Sequence, residues 1–71
     1  MIGQIRNIRE DREYAFIVCG ANRDIFLHRQ QYLGDWNELR DKWKESSQVN
    51  IEFEIHETEK GLRAIKAKMI P

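Results

Sequence analysis

Residues 49–57 (VNIEFEIHE) alternate without a break. Val49, Ile51, Phe53 and Ile55 are apolar, while Asn50, Glu52, Glu54 and His56 are polar. Successive side chains of a strand point to opposite faces, so this segment reads as a strand with one buried face. Such a strand needs partners for its apolar face and for its backbone edges. In a chain of 71 residues, the number and closure of the remaining strands decide the fold.

Four more strand segments can be read. Residues 1–9 (MIGQIRNIR) carry Ile2, Ile5 and Ile8 at a spacing of three, which would also suit a helix. Gly3, Asn7 and the β-branched isoleucines favour a strand. Residues 10–13 (EDRE) form a charged turn. Residues 14–28 (YAFIVCGANRDIFLH) hold two apolar runs, 14–19 and 25–27, flanking the turn-like 20–23, and read as a hairpin. Residues 58–61 (TEKG) read as a turn, and 62–70 (LRAIKAKMI) as the fifth strand. In that last strand Ile65, Ala67 and Met69 are expected inward. Lys66 and Lys68 are expected outward, across from Glu52 and Glu54.

Between the third and fourth strands, residues 30–48 change period. Trp36, Leu39 and Trp43 fall at i, i+3 and i+7, which predicts a helix over 36–45. Asp35 is placed to cap it, Glu38 to complete a capping box, and the serines at 46–47 to end it. The tryptophan stripe is expected to close one end of the barrel; Trp36 is the one nearer the hairpin and a candidate for base contact. The expected architecture is a single domain over 1–71, all-β, with a five-stranded antiparallel barrel of the OB type and one short helix between strands 3 and 4.

The hairpin is apolar on both faces. With Ala15, Ile17, Cys19, Ile25 and Leu27 inward beside Ile5, Ile51 and Phe53, the rings of Tyr14, Phe16, Phe26 and His28 share the outside. Two fates are open to these rings. They can lie packed beneath residues 30–48, or they can stand open as a contact surface.

Three blocks resemble the cold-shock domain family: residues 3–6 (GQIR), 14–17 (YAFI) and 24–28 (DIFLH) stand where that family has G-x-V-K, F-G-F-I and D-V-F-V-H. The Phe53 strand and residues 61–64 also fit, so the likeness covers most of the chain. The first two blocks are also similar to the RNA-binding OB domain repeated in a large ribosomal protein of the small subunit. The resemblance implies a barrel that binds single-stranded RNA or DNA by stacking bases on Tyr14, Phe16, Phe26 and His28. Arg6, Arg12 and Arg29 are candidates to hold phosphates. The family's strand-one Trp-Phe is Asn7-Ile8 here, its Lys-Gly before the first aromatic is Arg12-Glu13, its middle Gly is Ala15, and the aromatic after its His is Arg29. These departures imply weaker or altered binding.

The bulk composition limits the alternatives. Twelve Lys and Arg balance twelve Asp and Glu for a formal net charge of +0. Purely electrostatic binding of nucleic acid is therefore not expected, and salt dependence should be shallow. Hydrophobic residues are 41% and charged residues 34%, which suits a folded unit rather than a disordered one. Cys19 is the only cysteine, so it is expected to be an inert buried thiol without a disulfide or zinc partner. With no export-type leader, a cytoplasmic location is expected. No nucleophile–base pair or phosphate-cradling glycine loop stands out, so neither catalysis nor a cofactor is expected. The competing expectation is an interaction module whose aromatic face is covered by a protein partner or a second copy.

Overall fold

The computed structural model describes residues 1–9 and 11–70, and all of their side chains except those of Asn22 and Arg23. Glu10, part of the expected charged turn, lies outside the described residues, as does Pro71. The strands are β1 (Ile2–Arg9), β2 (Tyr14–Cys19), β3 (Asn22–His28), β4 (Asn50–Thr58) and β5 (Gly61–Met69). A single 3-10 turn (Arg29–Gln31) and the helix α1 (Trp36–Ser46) fill the link between β3 and β4. Among the described residues, no helix is long and apolar enough to cross a membrane.

The strands close into a barrel in the order β1-β2-β3-β5-β4, with β4 returning to β1. This corrects the expectation of an antiparallel barrel, because β3 and β5 pair in parallel, Phe26 opposite Arg63. The reason is parity. Strand directions cannot alternate all the way around a ring of five, so at least one seam must be parallel.

Bulges explain the spacings that obscured the strand pattern. In β1, Ile5 pairs with Ile17 but Asn7 pairs with Phe16, so Arg6 is an extra residue. The slip brings Ile5 and Ile8 to the same buried face although they lie three apart. In β5, Glu52 pairs with Lys68 but Glu54 pairs with Ile65. Lys66 there takes a left-handed φ of 50°. Ala64 and Ala67 are therefore the fully inward residues, whereas Ile65 and Met69 are half-buried. The expected inward set Ile65, Ala67 and Met69 is corrected accordingly. The charge ladder is as expected: Lys66 reaches Glu54 at 3.6 Å and Lys68 reaches Glu52 at 3.9 Å.

Gly3 faces the interior at a point with no room for a side chain. A Cβ there would lie 2.7 Å from the Val18 carbonyl oxygen and 2.8 Å from Ile17 Cγ2. Because one of these is backbone, β1 and β2 would have to separate. Gly3→Ala is expected to destabilise the protein by about 1–3 kcal/mol, as overpacked cores do. A urea midpoint unchanged by this substitution would show that the two strands do not approach so closely.

The helix forms where its stripe placed it. Asp35 Oδ1 accepts from the Asn37 amide at 2.9 Å, making the N-cap. Ser47, at φ 56°, ends the helix by donating its amide to the Trp43 carbonyl at 2.8 Å. Trp36 and Leu39 join the barrel core and Trp43 packs on its margin. Tyr32 also enters this core, 6.0 Å from Trp36 in an edge-to-face contact. Burial pushes the Tyr32 phenol above its ordinary pKa, partly offset by a hydrogen bond from the Met69 backbone. Cys19 is only half-buried, with Sγ 3.3 Å from the Ile2 carbonyl oxygen, because the register slips between Ile17 and Cys19. The expectation of a buried thiol is corrected by that slip.

Candidate nucleic-acid interface

The alternation of β2 and β3 sorts the hairpin into two faces. Ala15, Ile17, Ile25 and Leu27 are wholly buried in the barrel. Tyr14, Phe16, Phe26 and His28 point the other way and remain half-exposed. Tyr14 lies opposite His28 and Phe16 opposite Phe26, so the ladder holds all four rings in one patch.

The patch is continuous. Phe26 is its hub, with ring centroids 5.1 Å from Tyr14, 6.1 Å from Phe16 and 6.3 Å from His28. Tyr14 and Phe16 meet edge-on at 5.4 Å. These separations suit edge-to-face and tilted aromatic contacts, which fix the rings relative to one another. His28 is further tied down: its Nδ1 accepts from the Gln30 amide at 3.1 Å and caps the 3-10 turn. In the neutral ring this leaves the proton on Nε2 as a donor.

Beyond the Gln30 bond to His28, the buried side chains of residues 30–48, Tyr32, Trp36 and Leu39, pack into the barrel core. Trp36, 5% exposed, sits among core residues, so it lies apart from the ring patch that the sequence offered it to. A groove between α1 and the barrel is lined by Val49, Asn50, Met69 and Ile70, at the start of β4 and the end of β5. The hairpin rings contribute nothing to that groove.

Charged groups surround the rings. Arg29 reaches the Glu13 carboxylate at 2.8 Å, and its amide donates to the Glu13 carbonyl at 3.0 Å. Arg6 pairs with Asp24 across β2. Both arginines stand beside the patch, each already facing a carboxylate. Arg12, in the β1–β2 turn, is largely solvated and 3.8 Å from Asp11. Glu13 and Asp24 take left-handed φ values of 58° and 62°. That conformation costs a residue with a Cβ about 1–2 kcal/mol.

One contributor was not legible locally. The Arg63 guanidinium lies 5.3 Å from the Phe26 ring centroid, in cation–π range. A groove of about 300 Å³ runs beside it, lined by Phe16, Asp24, Phe26, Thr58, Lys60 and Arg63 among others. Only the parallel β3–β5 seam brings residue 63 to residue 26.

No protein-family model matches the chain, and no curated protein matches it.

Proposed function

We propose that the protein is a single-stranded nucleic-acid-binding module of the OB type, similar to the cold-shock domain, which takes unpaired RNA or DNA onto Tyr14, Phe16, Phe26 and His28. The observation that carries this reading is the continuous ring patch outside a closed barrel, beyond the helix that could have covered it. Flat rings suit nucleobases because every base has a π-face, and each stack is worth about 1–3 kcal/mol. The strand order and the motif blocks in β1, β2 and β3 support the OB-type assignment. On this reading the chain is a binding module rather than an enzyme and needs no cofactor. It holds bases unstacked in the cytoplasm, as an RNA chaperone or regulator does.

A second reading is favoured by one observation. Arg6 and Arg29 both face carboxylates, which weakens the pull on a polyanion. A protein partner or a second copy could then cover the same rings.

An NMR titration with short oligo-U and oligo-dT separates the two. Shifts of the Tyr14, Phe16, Phe26 and His28 ring resonances are the expected result. Rings that stay still at millimolar oligonucleotide, in a protein that sediments as a dimer, would decide for the second reading.

A further inference from the structure

Two arginine–carboxylate pairs bracket the ring patch. Glu13 directly precedes Tyr14 and Arg29 directly follows His28, so their pair closes the end of the patch where Tyr14 and His28 lie opposite. Asp24 shares a groove with Phe16 and Phe26 and meets Arg6 from the far side of β2. Both arrangements depend on irregular backbone. Arg6 is the extra residue of the β1 bulge, and Asp24 sits where β2 and β3 slip register, which re-aims the two side chains toward each other. Glu13 and Asp24 each occupy a left-handed φ that a glycine would adopt without cost. At both places the chain carries an acid instead.

An arginine already facing a carboxylate gives an incoming phosphate less than a free one does, because the same donors must be shared or surrendered. We infer that Glu13 and Asp24 are specificity-determining residues: they hold Arg29 and Arg6 back from phosphate, so that the face accepts ligands by their bases and discriminates against duplex. A duplex hides its base faces and offers mainly its charged backbone, whereas an unpaired strand offers both. The inference rests on the reading of the ring patch as a base-stacking surface.

The test compares the wild-type chain with the Glu13→Gln/Asp24→Asn double variant. Both substitutions keep the shape of the side chain, and asparagine tolerates a left-handed backbone. Each protein is titrated with short oligo-U and with a short RNA duplex at about 50 mM and about 200 mM salt, where phosphate contacts differ most in strength. The double variant is expected to bind both probes several-fold more tightly at low salt and to lose much of its preference for the single strand. Each freed arginine should steepen the oligo-U salt slope by about 0.7, so two would add about a sevenfold fall over that range. Adding Arg6→Gln and Arg29→Gln should abolish the gain, which a mere change in folding would not do. Wild-type binding with ring shifts, matched by the double variant in affinity, slope and duplex preference, overturns this inference and leaves the stacking reading standing. Failure of both proteins to bind overturns both. Binding by the double variant alone supports the inference in its strongest form.

Discussion

Alanine at Phe26 is expected to weaken binding of short oligo-U by about 5- to 140-fold, the equivalent of the roughly 1–3 kcal/mol that one base–ring stack contributes. Phe26 is the position to change because it touches every other part of the patch. Tyr14, Phe16 and His28 all lie within 6.3 Å of its centroid, and Arg63 stands over its face. Its removal takes away a stacking surface and also releases the neighbours that it orients. The fold should tolerate the change, since the ring lies outside the barrel and is only half-buried. Circular dichroism should stay native while the isothermal titration curve weakens. Leu33→Ala is the matched control, because that side chain is 67% exposed and lines a different groove. Equal affinity for the Phe26→Ala and wild-type proteins would remove the rings from the binding surface.

Alanine at Phe53 should have the opposite profile, with a large loss of stability. Phe53 is 2% exposed and is the largest of the fully buried side chains. It lies on β4 within 3.1 Å of the place where Gly3 would carry a Cβ, so the two positions fit each other across the β1–β4 seam. Truncating a buried phenylalanine costs about 3–5 kcal/mol, since the lost contacts and the cavity left behind add together. A domain of this length holds only about 4–10 kcal/mol in total at typical values per residue. Phe53→Ala is therefore expected to lose between about a third and all of the total stability, with the urea midpoint lowered in proportion. A loss below about 1 kcal/mol would mean that the barrel interior is not assembled around this ring.

The two substitutions separate the two sides of one sheet. Phe26 on β3 and Phe53 on β4 are the same residue type on strands that β5 separates, one facing out and one facing in. If the outward ring governs binding and the inward ring governs folding, the alternation of β2 and β3 is the device that gives a small chain both a core and a ligand surface. The Glu13 and Asp24 pairs then set how much of the binding comes from bases and how much from phosphate.

Local patterns carried far into the structure. The two-residue period of 49–57 placed β4, and the i, i+3, i+7 stripe of Trp36, Leu39 and Trp43 placed α1, because each side-chain period belongs to one backbone geometry. The same alternation put Tyr14, Phe16, Phe26 and His28 on the outer face. Where a bulge interrupts a strand the period breaks: the sequence pattern places Ile5 and Ala67 inward, where they lie, but leaves Ile8 and Ala64 unassigned and places the half-buried Ile65 and Met69 inward. Tyr32 lies outside the Trp36–Leu39–Trp43 stripe and is core all the same, at a backbone bridge to Ala67 that only the fold creates. The parallel seam, the placement of Arg63 over Phe26 and the Arg6–Asp24 pair were decided only by closure of the barrel. Alternation fixes which way a side chain points from its own strand. Which distant residue it meets there depends on strand order and register, and no short stretch of sequence contains these.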